Sequence, residues 1–468
     1  MTRLRTTAII LVALFGVLVL ASVVADRLGA AIGITSTLML TLGCLSLATA
    51  ALLAGSTRGP VFQSAVETRS GPLAAALVAL CLGLSCLPGD LPPTVKAAPA
   101  LSLAFALLVQ GLVMPQSPVN LPDQSFGDFI ARRFGSRLLA ALACLAGAGL
   151  LAGLGIALGE RSTRIMAHVT GIVPGTARWL VLVFTLLLVI PGGARSVVTA
   201  AVVALAIAIV GWSAAAGPSL LRQDWTSIVQ AEAALDAVLV ASPTLAGWAV
   251  AAGLMTLLHL PIVGTSSEQN RRGYAWAALF VIAATGLSVA AVAAPGMTVP
   301  IPPVLQAITA LAPVLLLPVA FAMVVHVLSR TLVRDVLYRL TGRQGTASGR
   351  MALQRFVALL MAGWFTLSPP PLPALDSPVG RVALLLAAAV PLPLMLLSRW
   401  QRVDWRAATC GIVAALIAAG ALAAGLLETP LALAGGALSC LTAGILAATL
   451  FPPGPQLAAR ADLVEQAA

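Results

Sequence analysis

Charged residues are scarce in this chain, and their scarcity excludes a soluble globular protein. They make up 9% of the 468 residues, whereas 60% of the residues are hydrophobic. Soluble domains usually carry about 25% charged residues. A chain with so much apolar surface must use lipid as its solvent, where every backbone amide and carbonyl has to be paired within the protein. The composition therefore predicts an all-α polytopic membrane protein whose main partner is the lipid bilayer.

Residues for catalysis and metal binding are also few. The chain has three histidines and six cysteines, and the cysteines lie in apolar segments without the paired spacing of a zinc site. The sequence contains no phosphate-binding loop and no nucleophile elbow. None of its 16 acidic residues is expected near the middle of a span, which removes the usual carboxylate proton relay. We therefore expect no catalytic residues, no metal and no cofactor, and a protein that is not an enzyme.

The basic residues define a topology. The net charge is +11, but the arginines lie in short gaps between apolar runs, so we expect no nucleic-acid partner. With the N-terminus inside, 20 of the 27 Lys and Arg residues fall on the cytoplasmic side and 7 outside. By the positive-inside rule this predicts about 14 transmembrane helices with both termini cytoplasmic, in a bacterial-type inner membrane. The expected spans are 6–25, 32–54, 72–90, 95–114, 136–158, 176–191, 194–214, 242–263, 274–294, 304–332, 350–369, 378–397, 406–426 and 430–450.

Six stretches, taken in order, share features with the loops of one transporter family. The features are an Arg-Phe-Gly turn, a Gly-Gly turn, a Leu-Pro step, a basic turn before Trp-Ala, an Arg-Asp pair followed by Tyr-Arg, and a basic-aromatic turn. They occur in 125-SFGDFIARRFGSRLLAALACL, 188-LVIPGGARSVV, 253-GLMTLLHLPIVG, 271-RRGYAWAALFVI, 322-AMVVHVLSRTLVRDVLYRLTGR and 391-PLPLMLLSRWQRVDWRAATCGIVAAL. Together they resemble the sodium:solute symporter family across roughly residues 50–425. The stretch 53-LAGSTRGPVFQSAVETRSG is most similar to the cation/acetate permease branch.

The resemblance implies a five-plus-five inverted-repeat (LeuT-like) transporter fold. Substrate in that fold binds near the bilayer midplane, between interrupted core helices one and six. The resemblance therefore implies a substrate site at Ser70, Gly71, His259, Leu260 and Pro261. It also divides the chain into six segments. These are two N-terminal helices with a linker (1–71), core helices one to five (72–214), an extracellular loop (215–241), core helices six to ten (242–397), two C-terminal helices (398–451) and a short cytoplasmic tail (452–468).

The family's cation site is altered in this sequence. Family members use two hydroxyl-bearing residues of core helix eight to hold sodium. The matching positions here are Val319 and Ala320, with Leu316 one turn earlier, and none of the three has a side-chain oxygen. Hard cations take oxygen ligands, so the sequence argues against sodium at this position. Glu67 matches an acidic position of the acetate permease branch, where it either lines a cytoplasmic vestibule or is a solvated partner of a nearby arginine.

Two of the three histidines lie where a proton can replace sodium. His326 precedes Asp335 by nine residues, about 13 Å along a helix, and is expected near the middle of the bilayer. His259 lies two residues before Pro261, at the expected break of core helix six. Imidazole exchanges protons near neutral pH, so both are candidates for proton coupling, with Glu67 as the third candidate. The alternative is that each hydrogen-bonds a neighbouring helix, and His168 is expected in an exposed outside loop.

Two functions fit these observations. The first is secondary active transport of a small organic solute, with a monocarboxylate as one candidate, coupled to H⁺ or to Na⁺. The second is a transport-inactive relative that acts as a sensor or partner subunit and binds a protein at the cytoplasmic face through the basic 330–355 loop. The retained Leu-Pro break favours the first function. The lost hydroxyls and the alanine-rich start of core helix one at 72–86 favour the second.

Overall fold

A computed structural model describes residues 43, 47–48, 104–105, 107–108, 126–222, 275–276, 278–287, 303–341, 346–368, 389–398, 400, 402–426 and 429–450. All regular structure in these ranges is helical. The helices are α1 (Phe126–Phe134), α2 (Arg137–Thr170), α3 (Pro174–Val189), α4 (Gly193–Arg222), α5 (Ala278–Leu287), α6 (Pro303–Arg330), α7 (Ala347–Leu367), α8 (Pro391–Leu397), α9 (Trp405–Ala423) and α10 (Thr429–Leu450). A π-helical segment, Thr331–Leu337, and one further turn, Tyr338–Thr341, continue α6.

The short helix α1 and the long helix α2 meet at a corner that the sequence specifies locally. Gly135 ends α1 with a φ of 70°, in the left-handed region that glycine occupies without strain. Ser136 follows as the N-cap of α2, and its hydroxyl accepts a hydrogen bond from the Leu139 amide at 3.2 Å. The amphipathic α1 is thereby separated from the membrane-length helix α2 by two residues.

Helix α6 lies at the centre of the described helices. Its side chains are buried without exception from residue 314 to residue 330. The helices α2, α3, α4 and α7 pack around it, while α9 and α10 pack mainly against each other, with α8 contacting both. A helix that is apolar and buried on all sides is typical of the interior of a membrane bundle.

The surrounding helices turn large apolar side chains outward. Trp179 and Val183 of α3, Leu360 of α7 and Ile417 of α9 are exposed. Within the described residues, four stretches are long and apolar enough to cross a membrane: Arg137–Val169, Gly193–Ser213, Val314–Thr341 and Trp405–Leu422. Exposed apolar surface of this extent fits contact with lipid, and the chain is a multi-pass membrane protein.

Seven predicted spans coincide with helices, and two other predictions, the position of His168 and the continuity of span 378–397, are wrong. Helix α2 continues well past residue 158, so the exposed His168 lies in its last turn rather than in a loop. Span 378–397 is not continuous, because the chain bends at Val390 and α8 starts afresh at Pro391. Proline lacks the amide proton that a continuous helix needs and crowds the preceding turn. The seven spans that coincide with helices are 136–158, 176–191, 194–214, 304–332, 350–369, 406–426 and 430–450. Of these, 136–158, 194–214, 304–332 and 406–426 lie on helices long and apolar enough to cross a membrane.

Five other predicted spans have most or all of their residues outside the described ranges. They are 6–25, 32–54, 72–90, 95–114 and 242–263. For span 274–294, the described part is helical at residues 275–276 and 278–287. The count of fourteen helices, the inverted repeat and the cytoplasmic position of both termini therefore stay predictions.

The close approach of α9 and α10 depends on Gly411. A Cβ atom at this position would lie 2.7 Å from the backbone carbonyl oxygen of Cys440, which cannot rotate away. We expect Gly411→Ala to lower the free energy of unfolding by about 1–3 kcal/mol, the usual cost of overpacking. Gly420→Ala is the matched control, because Gly420 lies in the same helix and a Cβ there meets nothing within 4 Å.

Thermal unfolding of the two variants in detergent measures the difference. Alanine favours a helix over glycine by about 0.8–1 kcal/mol, so Gly420→Ala should unfold at or slightly above the temperature of the unaltered protein. Equal unfolding temperatures for the two variants would contradict a tight α9–α10 contact at Gly411.

Candidate functional site

The buried interior of α6 changes from apolar to polar at His326. The described side chains from Ala312 to Val325 are all apolar. The buried polar stretch follows, and its members are less than one-tenth exposed: His326, Ser329, Arg330, Thr331 and Asp335. Buried polar groups cost free energy unless they are satisfied by hydrogen bonds or ion pairs, so a cluster of five at the end of a central helix makes this stretch the candidate functional site.

The second half of the polar stretch is a π-helix. In the segment Thr331–Leu337 the buried residues are Thr331, Val333 and Asp335, and the amide of Tyr338 donates to the carbonyl of Val333, five residues back. A π-helical turn holds more residues than an α-helical turn and changes which side chains face inward. Such insertions occur often at functional sites. Sequence reasoning missed this segment.

Asp335 lies where three elements meet. Its carboxylate forms an ion pair with Arg339 at 3.6 Å, and both side chains are nearly buried. A Cβ atom on Gly127 of α1 would lie 2.9 Å from Asp335 Cβ and Cγ, and 2.8 Å from the sulfur of Cys144 in α2. The absence of a side chain at Gly127 therefore lets α1 dock against the π segment and α2 at the position of Asp335.

The structure corrects the prediction that residues 330–355 form a basic loop. Arg330 is buried, with 2% of its surface exposed. The chain is helical through Thr341 and again from Ala347, where Thr346 caps the start of α7 by accepting a hydrogen bond from the Gly349 amide. The arginines of this region are thus carried largely by helices. The packing of α1, α2 and α7 around the π segment accounts for the burial.

Arg133 connects α1 to the turn after α8. Its Nε donates to the carbonyl of Ser398 at 2.7 Å and its Nη2 donates to the carbonyl of Trp400 at 2.6 Å. Planar guanidinium groups suit such paired acceptors. Because Gly127 of the same helix contacts Asp335, α1 bridges the end of the central helix and the 398–400 turn.

Arg133 is expected to hold α1 in place. We predict that Arg133→Lys increases hydrogen exchange of the 126–134 amides about tenfold or more, because one ammonium cannot hold two divergent carbonyls as the guanidinium does. Arg137→Lys is the control: Arg137 lies three residues from α1's end at an exposed position. Exchange measured by mass spectrometry should differ between the two variants, and equal protection would contradict the bridging role of Arg133.

The residues predicted from the sequence divide into two groups. His326 is fully buried in α6, and the Ser329 hydroxyl donates to its carbonyl at 2.9 Å. Leu316, Val319 and Ala320 are buried in the apolar part of the same helix, so the nearest of them is about 9 Å along the helix from His326. The predicted positions outside the described residues are Glu67, Ser70, Gly71, His259, Leu260 and Pro261.

Comparisons with known proteins identify the fold. No family model and no curated protein sequence matches the chain. The solved structure of a Na⁺-coupled sialic acid symporter in a substrate-bound, outward-open state is similar, with a TM-score of 0.70 and 14% identity over 91% of this chain and 98% of that chain. A manganese transporter from Eremococcus coleocola reaches a TM-score of 0.46 with 13% identity, over 84% of this chain and 98% of its own. The first similarity shows that this chain has a transporter fold.

Proposed function

We propose that this chain is a secondary active transporter of a small organic solute. The observation that carries the proposal is the similarity in fold to a sialic acid symporter, which extends over 91% of this chain. Sialic acids and monocarboxylates both present a carboxylate, so carboxylate-bearing solutes are the first class to test. In such folds, one bundle rocks against the other around a site near the midplane.

We further propose that the transporter is related to the sodium:solute symporters, with the cation/acetate permeases as its nearest branch. The quoted loop motifs support this relationship. The inverted repeats would then be 72–214 and 242–397 within a set of fourteen spans. The proposed solute contacts are Ser70, Gly71 and the 259–261 step, and Glu67 is the proposed vestibule residue.

The coupling ion is proposed to be the proton. In the proposed relationship, Leu316, Val319 and Ala320 match the cation site of sodium-coupled relatives, and all three are buried apolar residues. His326 is fully buried on the same central helix, and an ionisable residue inside a membrane protein is a functional candidate by default. Neutral imidazole can bind a proton and release it near neutral pH. His259 at the Leu-Pro step is the second proposed proton carrier.

Uptake by proteoliposomes tests the proposal. Vesicles of the purified chain are given short labelled monocarboxylates or sialic acid, with a proton gradient or a sodium gradient imposed in separate runs. A gradient of one pH unit should support about tenfold accumulation if one proton accompanies one solute. Accumulation driven by sodium alone would contradict proton coupling. The absence of solute movement under either gradient, including in exchange assays, would contradict transport of these solutes.

The second candidate function is that of a transport-inactive sensor or partner subunit. Its support is the fully apolar, buried character of Leu316, Val319 and Ala320, which leaves these side chains no oxygen for a coupling cation. The proposed contact for a soluble protein is the cytoplasmic face around residues 330–355. A chain that moves no carboxylate in exchange assays and co-purifies with one cytoplasmic protein in stoichiometric amount would favour this function.

A further inference from the structure

An open groove runs along the outer face of α9. It begins at Trp405 and Arg406 and passes Cys410 and Val413 to reach Ile417, with a volume of about 380 Å³. At 1.5 Å per residue the groove is about 18 Å long, close to the roughly 15 Å half-thickness of a bilayer's hydrocarbon core. From Cys410 onward the described side chains that line it are apolar. These dimensions and this lining fit one acyl chain within one leaflet.

Arg406 lines the polar end of the groove, and a second arginine, Arg402, lies four residues before it in the chain. Arg402 and Arg406 are both exposed, and the Arg406 guanidinium lies 5.7 Å from the ring centroid of Trp405. Neither arginine pairs with an acidic side chain in the part of the chain that the structure describes. The adjacent Asp404 is buried as the N-cap of α9, and its carboxylate accepts a hydrogen bond from the Ala407 amide at 3.0 Å. The two arginines at the start of α9 are therefore exposed and available to an anion.

The geometry leads us to infer that the groove binds an anionic phospholipid. The lipid phosphate contacts Arg402 and Arg406, the ring of Trp405 lies at headgroup level, and one acyl chain follows Cys410 to Ile417. Tryptophan is enriched at that depth of the membrane. The distribution of basic residues predicts that α9 starts at the cytoplasmic surface, where anionic lipids attract basic side chains. The site is on the outside of the α9–α10 pair and does not depend on transport.

A second copy of the chain is a poorer occupant. If two copies paired through this face about a two-fold axis normal to the membrane, Arg402 and Arg406 of each would approach the same arginines of the other. Like charges at an interface oppose association, whereas a lipid phosphate complements them. Charge complementarity thus selects the lipid.

Native mass spectrometry of the full chain tests the site. The protein is released from micelles containing dioleoyl phosphatidylglycerol or dioleoyl phosphatidylcholine, and retained lipid is counted. The unaltered chain should prefer phosphatidylglycerol by about tenfold. Arg402→Gln/Arg406→Gln should abolish the preference. Ala414 also lines the groove, so Ala414→Trp should weaken lipid retention with both charges intact, because the indole fills the groove. Arg137→Gln, at an exposed arginine at the start of α2, should leave the preference unchanged.

Alkylation of Cys410 gives a second measurement on the unaltered chain. Cys410 is exposed in the groove, so phosphatidylglycerol should slow its modification, read out on the Cys410 peptide, more than phosphatidylcholine does. Equal rates in the two lipids, or an undiminished preference in the double variant, would overturn the inference. Formation of a disulfide between Cys410 residues of two copies in phosphatidylglycerol would assign the groove to a second copy and would also overturn it.

Discussion

Replacement of Asp335 by alanine should destabilise the protein strongly. The carboxylate pairs with Arg339 at 3.6 Å in a site where both side chains are nearly buried. Removal of one partner of a buried ion pair costs about 3–5 kcal/mol, because the remaining side chain loses this counter-charge in a site shielded from water. Thermal unfolding in detergent should therefore show a large fall in unfolding temperature for Asp335→Ala.

Glu160→Ala provides the matched control for Asp335→Ala. Glu160 pairs with Arg164 at the same four-residue spacing, but both side chains are substantially exposed. Exposed pairs contribute about 0–1 kcal/mol, so this variant should unfold almost as the unaltered protein does. The double variant Asp335→Ala/Arg339→Leu should recover part of the lost stability, because it also removes the arginine charge that Asp335 faces. Equal effects of Asp335→Ala and Glu160→Ala would show that the buried pair is not a stabilising element.

Replacement of His326 by glutamine should remove proton coupling. Glutamine retains hydrogen-bonding capacity in the fully buried position but cannot carry a proton near neutral pH. The rate at which solute accumulates toward about tenfold per pH unit should fall to that of protein-free vesicles, which report passive entry of the protonated acid. Exchange of labelled for unlabelled solute should continue, because it needs no net proton movement, and its rate should no longer depend on pH between about 5.5 and 8.

His168 supplies the control for the histidine experiment. It is exposed at the end of α2, and His168→Gln should leave both accumulation and the pH profile unchanged. Persistence of proton-driven accumulation in His326→Gln would contradict the assignment of coupling to His326. Loss of exchange together with accumulation, at an unchanged unfolding temperature, would assign His326 to solute binding instead.

The sequence was most informative where a long apolar run begins or ends at a local helix signal, such as a capping residue or a proline. Ser136 and Pro174 each mark the start of a helix, the first by capping it and the second by its fixed backbone geometry. The apolar runs at 304–332, 406–426 and 430–450 coincide with helices for the same reason. Periodicity and capping act over a few residues, so one sequence contains the information they need.

The arrangement at the candidate site could not be predicted in this way. Each turn of the π segment closes over about one more residue than an α-helical turn, and nothing in the amino-acid composition indicates this. Arg133 binds carbonyl groups 265 and 267 residues away in the chain. Because every residue has a backbone carbonyl, no sequence motif predicts which ones Arg133 contacts. The burial of Arg330 and Asp335 likewise depends on α1, α2 and α7, which come from distant parts of the sequence.

Solute-driven proton movement is the most direct test of the central claim. Proteoliposomes that trap a pH-sensitive dye are prepared with equal pH and equal sodium on both sides, and a transported carboxylate is added outside. The account predicts that the interior acidifies faster than in protein-free vesicles, which report passive entry of the protonated acid. It also predicts that His326→Gln abolishes the difference and His168→Gln does not. A proton-coupled transporter would be contradicted by two results together. Labelled solute would enter without any acidification beyond that of protein-free vesicles, and its accumulation would require a sodium gradient.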